Sequence, residues 1–162
     1  MAMPGRRILN LGGFVACASL MAYALYAEHV LMLEPCPLCV FQRIAVILLG
    51  VLLLLAALHN PSGGARKAYA ALIAVAAASG AVIAGRHVWL QHLPPEQVPA
   101  CGPGLGYMIE SFPLSEALRM VFTGSGECAV SDWSFLGLSM PAWVLISIVV
   151  IGGAGAWNNL RA

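Results

Sequence analysis

Residues 39–58 read CVFQRIAVILLGVLLLLAAL, twenty positions carrying a single charge, Arg43. At 1.5 Å per residue such a helix is about 30 Å long, the thickness of a bilayer's hydrocarbon core. Residues 8–27, 68–87 and 139–157 have the same character, rich in Ala, Leu, Val and Ile. The whole chain of 162 residues is 60% hydrophobic and 9% charged, against about 25% charged in a soluble domain. That composition excludes a soluble globular enzyme. Eight Lys/Arg and a net charge of +1 leave no electrostatic footprint for nucleic acid. An open sheet cannot satisfy its backbone in lipid, so the expected fold is all-α, a four-helix transmembrane bundle forming one integral-membrane domain over residues 1–162. Gly50, Gly80, Gly85, Gly152, Gly153 and Gly155 are the small residues expected to let these helices approach closely.

The charges give the orientation. Arg6 and Arg7, Arg66 and Lys67, and Arg161 occupy the N-terminal tail, the middle connection and the C-terminal tail, with no acid among them. The positive-inside rule turns these segments, and both termini, to the cytoplasm. Glu28, Glu34, Glu96, Glu110, Glu116, Glu127 and Asp132 all fall in or beside the other two connections, residues 28–38 and 88–138, which are therefore outside. Arg6, Arg7 and the later Ala22-Tyr23-Ala24 are reminiscent of a cleavable signal peptide, and the arginine pair of a weak twin-arginine signal. The apolar run is nevertheless long enough to span, and it is expected to remain as the first helix.

The first outer connection ends in Glu34-Pro35-Cys36-Pro37-Leu38-Cys39, where the second span begins. With Pro37 at the first helical position, Cys36 is the N-cap and Cys39 lies in the first turn. There it meets unpartnered backbone N–H groups and the positive end of the helix dipole, which favour the reactive thiolate. Arg43, one turn deeper on the same face, is an intramembrane charge and hence a functional candidate: it could stabilise that thiolate or hydrogen-bond a ligand carbonyl. Its bland alternative is an arginine snorkelling to the outer interface.

The second outer connection holds Cys101 and Cys128 in Gly/Pro-rich surroundings, Pro99-Ala100-Cys101-Gly102-Pro103-Gly104 and Gly124-Ser125-Gly126-Glu127-Cys128. Both cysteines are expected to be mobile rather than packed. Between them Pro113 to Phe122 has a helix start and an amphipathic pattern, which predicts a short helix on the membrane surface.

Of the five cysteines, Cys17 sits mid-span and reads as a small core hydrophobe with no assigned role. The four outer ones face an oxidising compartment, and the simplest pairing is Cys36 with Cys39 and Cys101 with Cys128. A C-x-x-C bridge closes too small a loop to brace a fold; its usual work is to open and close. Zinc is disfavoured, because a second close ligand pair is missing from the sequence, and no metal is expected. Two neighbouring dithiol pairs, one on a loop and one at the membrane, can pass electrons by thiol–disulfide exchange to a lipid-soluble two-electron acceptor, a quinone. The rival from another class is a non-catalytic four-span protein whose outer loops are held by two static disulfides. An enzyme carrying reductant outward would need a redox cysteine pair in the spans, which Cys17 alone cannot supply.

These features together resemble the DsbB family of membrane thiol:quinone oxidoreductases. The likeness rests on the four spans, Cys36-Pro37-Leu38-Cys39-Val40-Phe41-Gln42-Arg43, Cys101 with Cys128, and Trp133-Ser134-Phe135-Leu136-Gly137-Leu138-Ser139-Met140-Pro141-Ala142-Trp143. The resemblance implies a protein of the bacterial inner membrane that reoxidises a DsbA-type periplasmic thiol oxidase and reduces ubiquinone or menaquinone. It implies that the partner's thiol attacks Cys101, that the released Cys128 attacks Cys36, and that the freed Cys39 faces the quinone. Arg43 matches the family's quinone-site arginine, and His87, followed one turn later by Gln91, falls where the family has a histidine near the quinone headgroup. On position alone His87 would be a polar interfacial anchor, and Trp133, Trp143 and Trp157 likewise; His29, His59 and His92 carry no functional assignment. Pro37 between the cysteines departs from the family pattern and stiffens the turn.

Overall fold

The computed structural model describes residues 5–102, 105–130 and 133–161, apart from the side chain of residue 109. Pro103, Gly104 and Asp132, which figured in the loop reading, lie outside the described residues. Four long helices, α1 (Arg6–His29), α2 (Pro37–His59), α3 (Gly64–Gln91) and α7 (Met140–Leu160), are each long and apolar enough to cross a membrane. The first three run past their expected limits at both ends, and α7 past its expected end though it starts one residue later, because backbone hydrogen bonding continues through the polar residues at the ends. Glu28 and His29, then Arg66 and Lys67, then Gln91, are thus helical, and the outer connections are shorter than 28–38 and 88–138. Asn60 ends α2 in the left-handed region, φ 44°, just before Pro61.

Helix α3 packs along α7, α1 along α2, and α2 along α3, with α1 and α7 closing the bundle. The central core joins Cys17, Val46, Leu49, Leu53, Ile73, Ala77 and Ile148. Cys17 is 3% exposed in it, as expected of a small hydrophobe. Outward, Val15, Ile47, Leu48, Val75, Val82 and Val150 are exposed apolar side chains, the surface a lipid environment requires. A Cβ on Gly152 would stand 2.2 Å from Ala77 Cβ, and one on Gly50 3.0 Å from Cys17 Cβ, so both glycines set a close helix approach. Gly85 and Gly153 meet nothing within 4 Å, which corrects their expected packing role: they face away from the neighbouring helices.

At the end bearing Arg6 and Arg161, a buried asparagine triad ties the first span to the last. Asn10 Oδ1 accepts from Asn158 Nδ2 (3.1 Å) and Asn159 Nδ2 (2.9 Å), and Asn10 Nδ2 donates to Asn159 Oδ1 (3.3 Å).

The long connection builds the opposite end. A 3-10 turn, Pro95–Gln97, is followed by α4 (Leu105–Ser111), α5 (Leu114–Thr123) and α6 (Gly126–Ala129). A two-stranded hairpin, β1 (Ser134–Phe135) with β2 (Leu138–Ser139), then leads into α7. The amphipathic helix predicted from Pro113 is α5, with Pro113 as its N-cap. Its buried residues Ala117 and Val121 join Leu38, Leu90, Met108 and Cys128 in a second core over the ends of α2 and α3. Arg86 of α3 fastens it there, donating to the carbonyls of Phe122 (3.2 Å) and Thr123 (2.9 Å) at the C-terminus of α5.

Candidate functional site

The start of α2 forms as its sequence dictates. Pro37 occupies the first helical position, Cys36 is the N-cap, and Cys36 Sγ accepts from the Cys39 backbone N–H at 3.4 Å. The Cys36 thiol in turn donates to Cys39 Sγ at 2.9 Å. Around this pair the second core brings up α6: Cys36 Sγ, Cys128 Sγ and a ring nitrogen of His87 all lie within 4.8 Å of one another.

That placement corrects one expectation. Cys128 is packed rather than mobile, 1% exposed, because the apolar face of α5 and the end of α3 close over it. Its thiol is turned towards Cys36, and all five cysteines are free thiols in this structure. Cys101 is exposed, yet its backbone is held near α6: Gly126 N–H donates to the Ala100 carbonyl at 3.2 Å. A Cβ on Gly126 would lie 2.8 Å from the Pro99 carbonyl oxygen and 3.2 Å from Cys101 Sγ, so only glycine allows this approach. Cys36, Cys39 and Cys128 are thus clustered, and exposed Cys101 is held against Gly126, two residues before Cys128.

Electrostatics differ along that chain. The hydrogen bond from Cys36, then backbone N–H of Leu38 and the Ser125 side chain, outweigh burial and bring Cys128 down to about 6. The same contact with Cys128, joined by Cys39 and by burial, pushes the Cys36 thiol far above the ordinary thiol range. Of this pair Cys128 therefore carries the greater thiolate character and Cys36 is the harder to ionise.

Cys39 opens onto a cleft of about 1160 Å³, its open mouth included, walled by all four spans. Its apolar lining includes Leu20, Ala24, Val46 and Val144; its polar edge carries Arg43, Gln42, His87 and Gln91. Arg43 shares the cleft with Cys39, as their spacing of one turn predicted, and it is not a loose snorkelling side chain. Its guanidinium donates to the Glu28 carboxylate and to the Ala24 carbonyl (3.2 Å), both on α1. His87 is 3% exposed, with Nδ1 2.9 Å from Gln42 Nε2 and Nε2 3.8 Å from Cys36 Sγ. It is therefore a buried member of the site and no interfacial anchor. Gln91 Oε1 accepts from Ser139 Oγ at 2.6 Å, fixing the end of α3 to the start of α7 beside the cleft.

Sequence reading missed Gln42 and Glu28 as members of the site, and it took Trp133 and Trp143 for simple anchors, although both line the cleft. The signal for Gln42 was available, a polar side chain one residue from Arg43 inside an apolar span. Glu28 gave a weaker one, as an acid at the end of an apolar run.

Over residues 6–158 the sequence matches the family described as disulfide bond formation protein DsbB. The chain belongs to the DsbB family. It is 53% identical to disulfide bond formation protein B of Methylococcus capsulatus, over 99% of this chain and 96% of that one. The protein of the same name from Nitrosococcus oceani is 52% identical over 92% of this chain and 88% of its own, and that from Saccharophagus degradans 46% over 98% and 96%. With four spans and a cluster of thiols, this DsbB-family chain is a multi-pass membrane oxidoreductase of disulfide bond formation.

Proposed function

We propose that the chain takes electrons from the dithiol of a DsbA-type periplasmic thiol oxidase and passes them to a membrane quinone, ubiquinone or menaquinone. It would act in the bacterial inner membrane, with both termini cytoplasmic and the cysteines facing the periplasm, as the distribution of Arg and Lys favours. The observation that carries the reading is the cluster of buried Cys128 with half-buried Cys36 and Cys39 at an apolar cleft, with exposed Cys101 held against Gly126 of the same short helix as Cys128.

The exchange balances as follows. A donor thiolate attacks Cys101 of a Cys101–Cys128 disulfide, forming a mixed disulfide and releasing the Cys128 thiolate. Cys128 attacks Cys36 of a Cys36–Cys39 disulfide, which releases the Cys39 thiolate. The donor's second thiolate then displaces Cys101, and the donor leaves oxidised. Cys101 attacks Cys128, restoring their disulfide and freeing Cys36. The pair Cys36 and Cys39 is left with the two electrons. A quinone bound in the cleft would supply the acceptor, taking two electrons and two protons to become quinol.

The chain's own residues suit that acceptor. The cleft is lined mainly by apolar side chains and reaches Cys39, while the Arg43 guanidinium stands at its edge, oriented by Glu28, to donate to a ring carbonyl. His87 and Gln91 offer further polar atoms on the α3 side. A donor whose second thiol is replaced by Ser tests the first half of the path: its remaining thiolate should open the Cys101–Cys128 disulfide and, unable to be displaced, accumulate as a covalent complex with Cys101. Absence of that complex, with the donor reduced and Cys101 intact, would overturn the assignment of Cys101.

A further inference from the structure

Cys36, Cys128 and His87 bring three metal-ligating side chains together. Two sulfurs and one imidazole nitrogen lie within 4.8 Å of one another, and Cys36 Sγ is 3.8 Å from His87 Nε2. A tetrahedral zinc ion, with Zn–S about 2.3 Å and Zn–N about 2.0–2.1 Å, holds its ligand atoms roughly 3.5–3.8 Å apart. Sequence spacing argued against zinc because Cys101 and Cys128 are not a close ligand pair; folding supplies the missing ligands from α3 and α6 instead.

We propose that the reduced protein binds one Zn²⁺ through Cys36, Cys128 and His87, and that this capture reversibly arrests thiol exchange. A fourth position is left open beside Cys39, 2.9 Å from Cys36 Sγ. The charge balances in a buried site, since Zn²⁺ with two thiolates and a neutral imidazole is uncharged overall. Binding moves no electrons: protons still held by the two sulfurs, chiefly that of the Cys36 thiol, leave to solvent as the two Zn–S bonds form. Gln42 completes the arrangement at the far side of the ring. Its amide lies against the ring's other nitrogen, Gln42 Nε2 being 2.9 Å from His87 Nδ1. Zinc binding would turn this amide end for end, so that its oxygen accepts from Nδ1–H and the His87 Nε2 lone pair faces the sulfurs, as in zinc sites where an outer partner fixes the histidine tautomer. A disulfide at either cysteine occupies the same sulfur atoms, so zinc and oxidation exclude each other.

The test uses the full chain in detergent, reduced and desalted, titrated with Zn²⁺ alone against a chromophoric chelator, with Co²⁺ as a spectroscopic substitute. The reduced protein should take up one equivalent and show thiolate-to-cobalt charge-transfer absorption; the oxidised protein should do neither. Cys128→Ser and His87→Ala should weaken uptake strongly, Gln42→Ala by roughly 10–100-fold, and Cys101→Ser should bind as the parent does. Equal uptake by reduced and oxidised protein, or parent-like uptake by both Cys128→Ser and His87→Ala, would overturn the site, as would no uptake by reduced protein of unchanged circular dichroism. The titration needs neither donor nor quinone, so its failure leaves the proposed electron path standing.

Discussion

Cys128 Sγ lies within 4.8 Å of Cys36 Sγ, although the two cysteines enter from different outer loops and the sequence pairs each more simply with another. This contact joins the loop that presents Cys101 to the helix that presents Cys39, and on the proposed path it makes Cys36 the middle member. Cys36→Ser should abolish electron transfer from donor thiol to acceptor, a loss of several orders of magnitude, while leaving the exchange between donor and Cys101 intact. Stopped-flow kinetics of donor oxidation in the presence of quinone measures it. Turnover at the parent rate would remove Cys36 from the path.

The same contact sets a pH dependence. Cys128 is lowered from the ordinary 9.0 to about 6, mainly by the hydrogen bond from Cys36. Its thiolate should therefore persist down to about pH 6. The stabilisation this gives the reduced fold is fully present above the ordinary value of 9.0 and is lost as pH falls through about 6. The difference in ultraviolet thiolate absorbance between the reduced protein and its Cys128→Ser variant should titrate near pH 6. In a Cys36→Ala background, which removes the donor, the midpoint should rise towards the ordinary value.

Arg43 and Glu28 should act together on the acceptor. Arg43→Ala removes the guanidinium from the cleft and should lower kcat/KM for quinone by about 10–100-fold, the range of about 1.5–3 kcal/mol for a hydrogen bond to a charged group. Glu28→Gln leaves Arg43 in place but loosens its aim, so the expected effect is smaller and falls mainly on KM. Steady-state kinetics with varied quinone and saturating donor separates the two; equal kinetics for Arg43→Ala and parent would leave the arginine as a structural tie between α1 and α2.

The asparagine triad predicts a purely structural effect. Asn10→Ala deletes one partner each of Asn158 and Asn159, which are 5% and 1% exposed and keep the Arg6 and Gly155 carbonyls respectively, and it removes the donor to Asn159 Oδ1. Leaving these amides underpaired should destabilise the bundle by about 1–3 kcal/mol. The unfolding midpoint in detergent should fall accordingly, with quinone kinetics unchanged in the folded fraction.

How much of this was legible in the sequence depended on range. The spans and their charge asymmetry are local properties of composition, and the Pro37 start of α2 follows from the conformational limits of proline, so both could be read directly. The pairing of Cys128 with Cys36 could not. It depends on α5 covering Leu38 and Leu90, and on Gly126 admitting Ala100 and Cys101, contacts between segments distant in the chain. The Gly/Pro-rich flanks of Cys128 suggested mobility, whereas they serve the tight turns that seat it. His87 and Gln42 are one pair in space, yet each alone is an ambiguous polar residue at or within a span. The glycines behaved similarly: Gly152 and Gly153 are neighbours in sequence, but only Gly152 faces Ala77, because helical phase decides which side each presents.

The most direct test of the electron path is anaerobic quinol formation by the purified protein with a reduced DsbA-type donor, comparing parent and Cys39→Ser. The account predicts rapid, donor-dependent quinol formation by the parent and none by Cys39→Ser, with the donor still able to engage Cys101. Quinol formation at the parent rate by Cys39→Ser, or none by the parent with either ubiquinone or menaquinone, would contradict it.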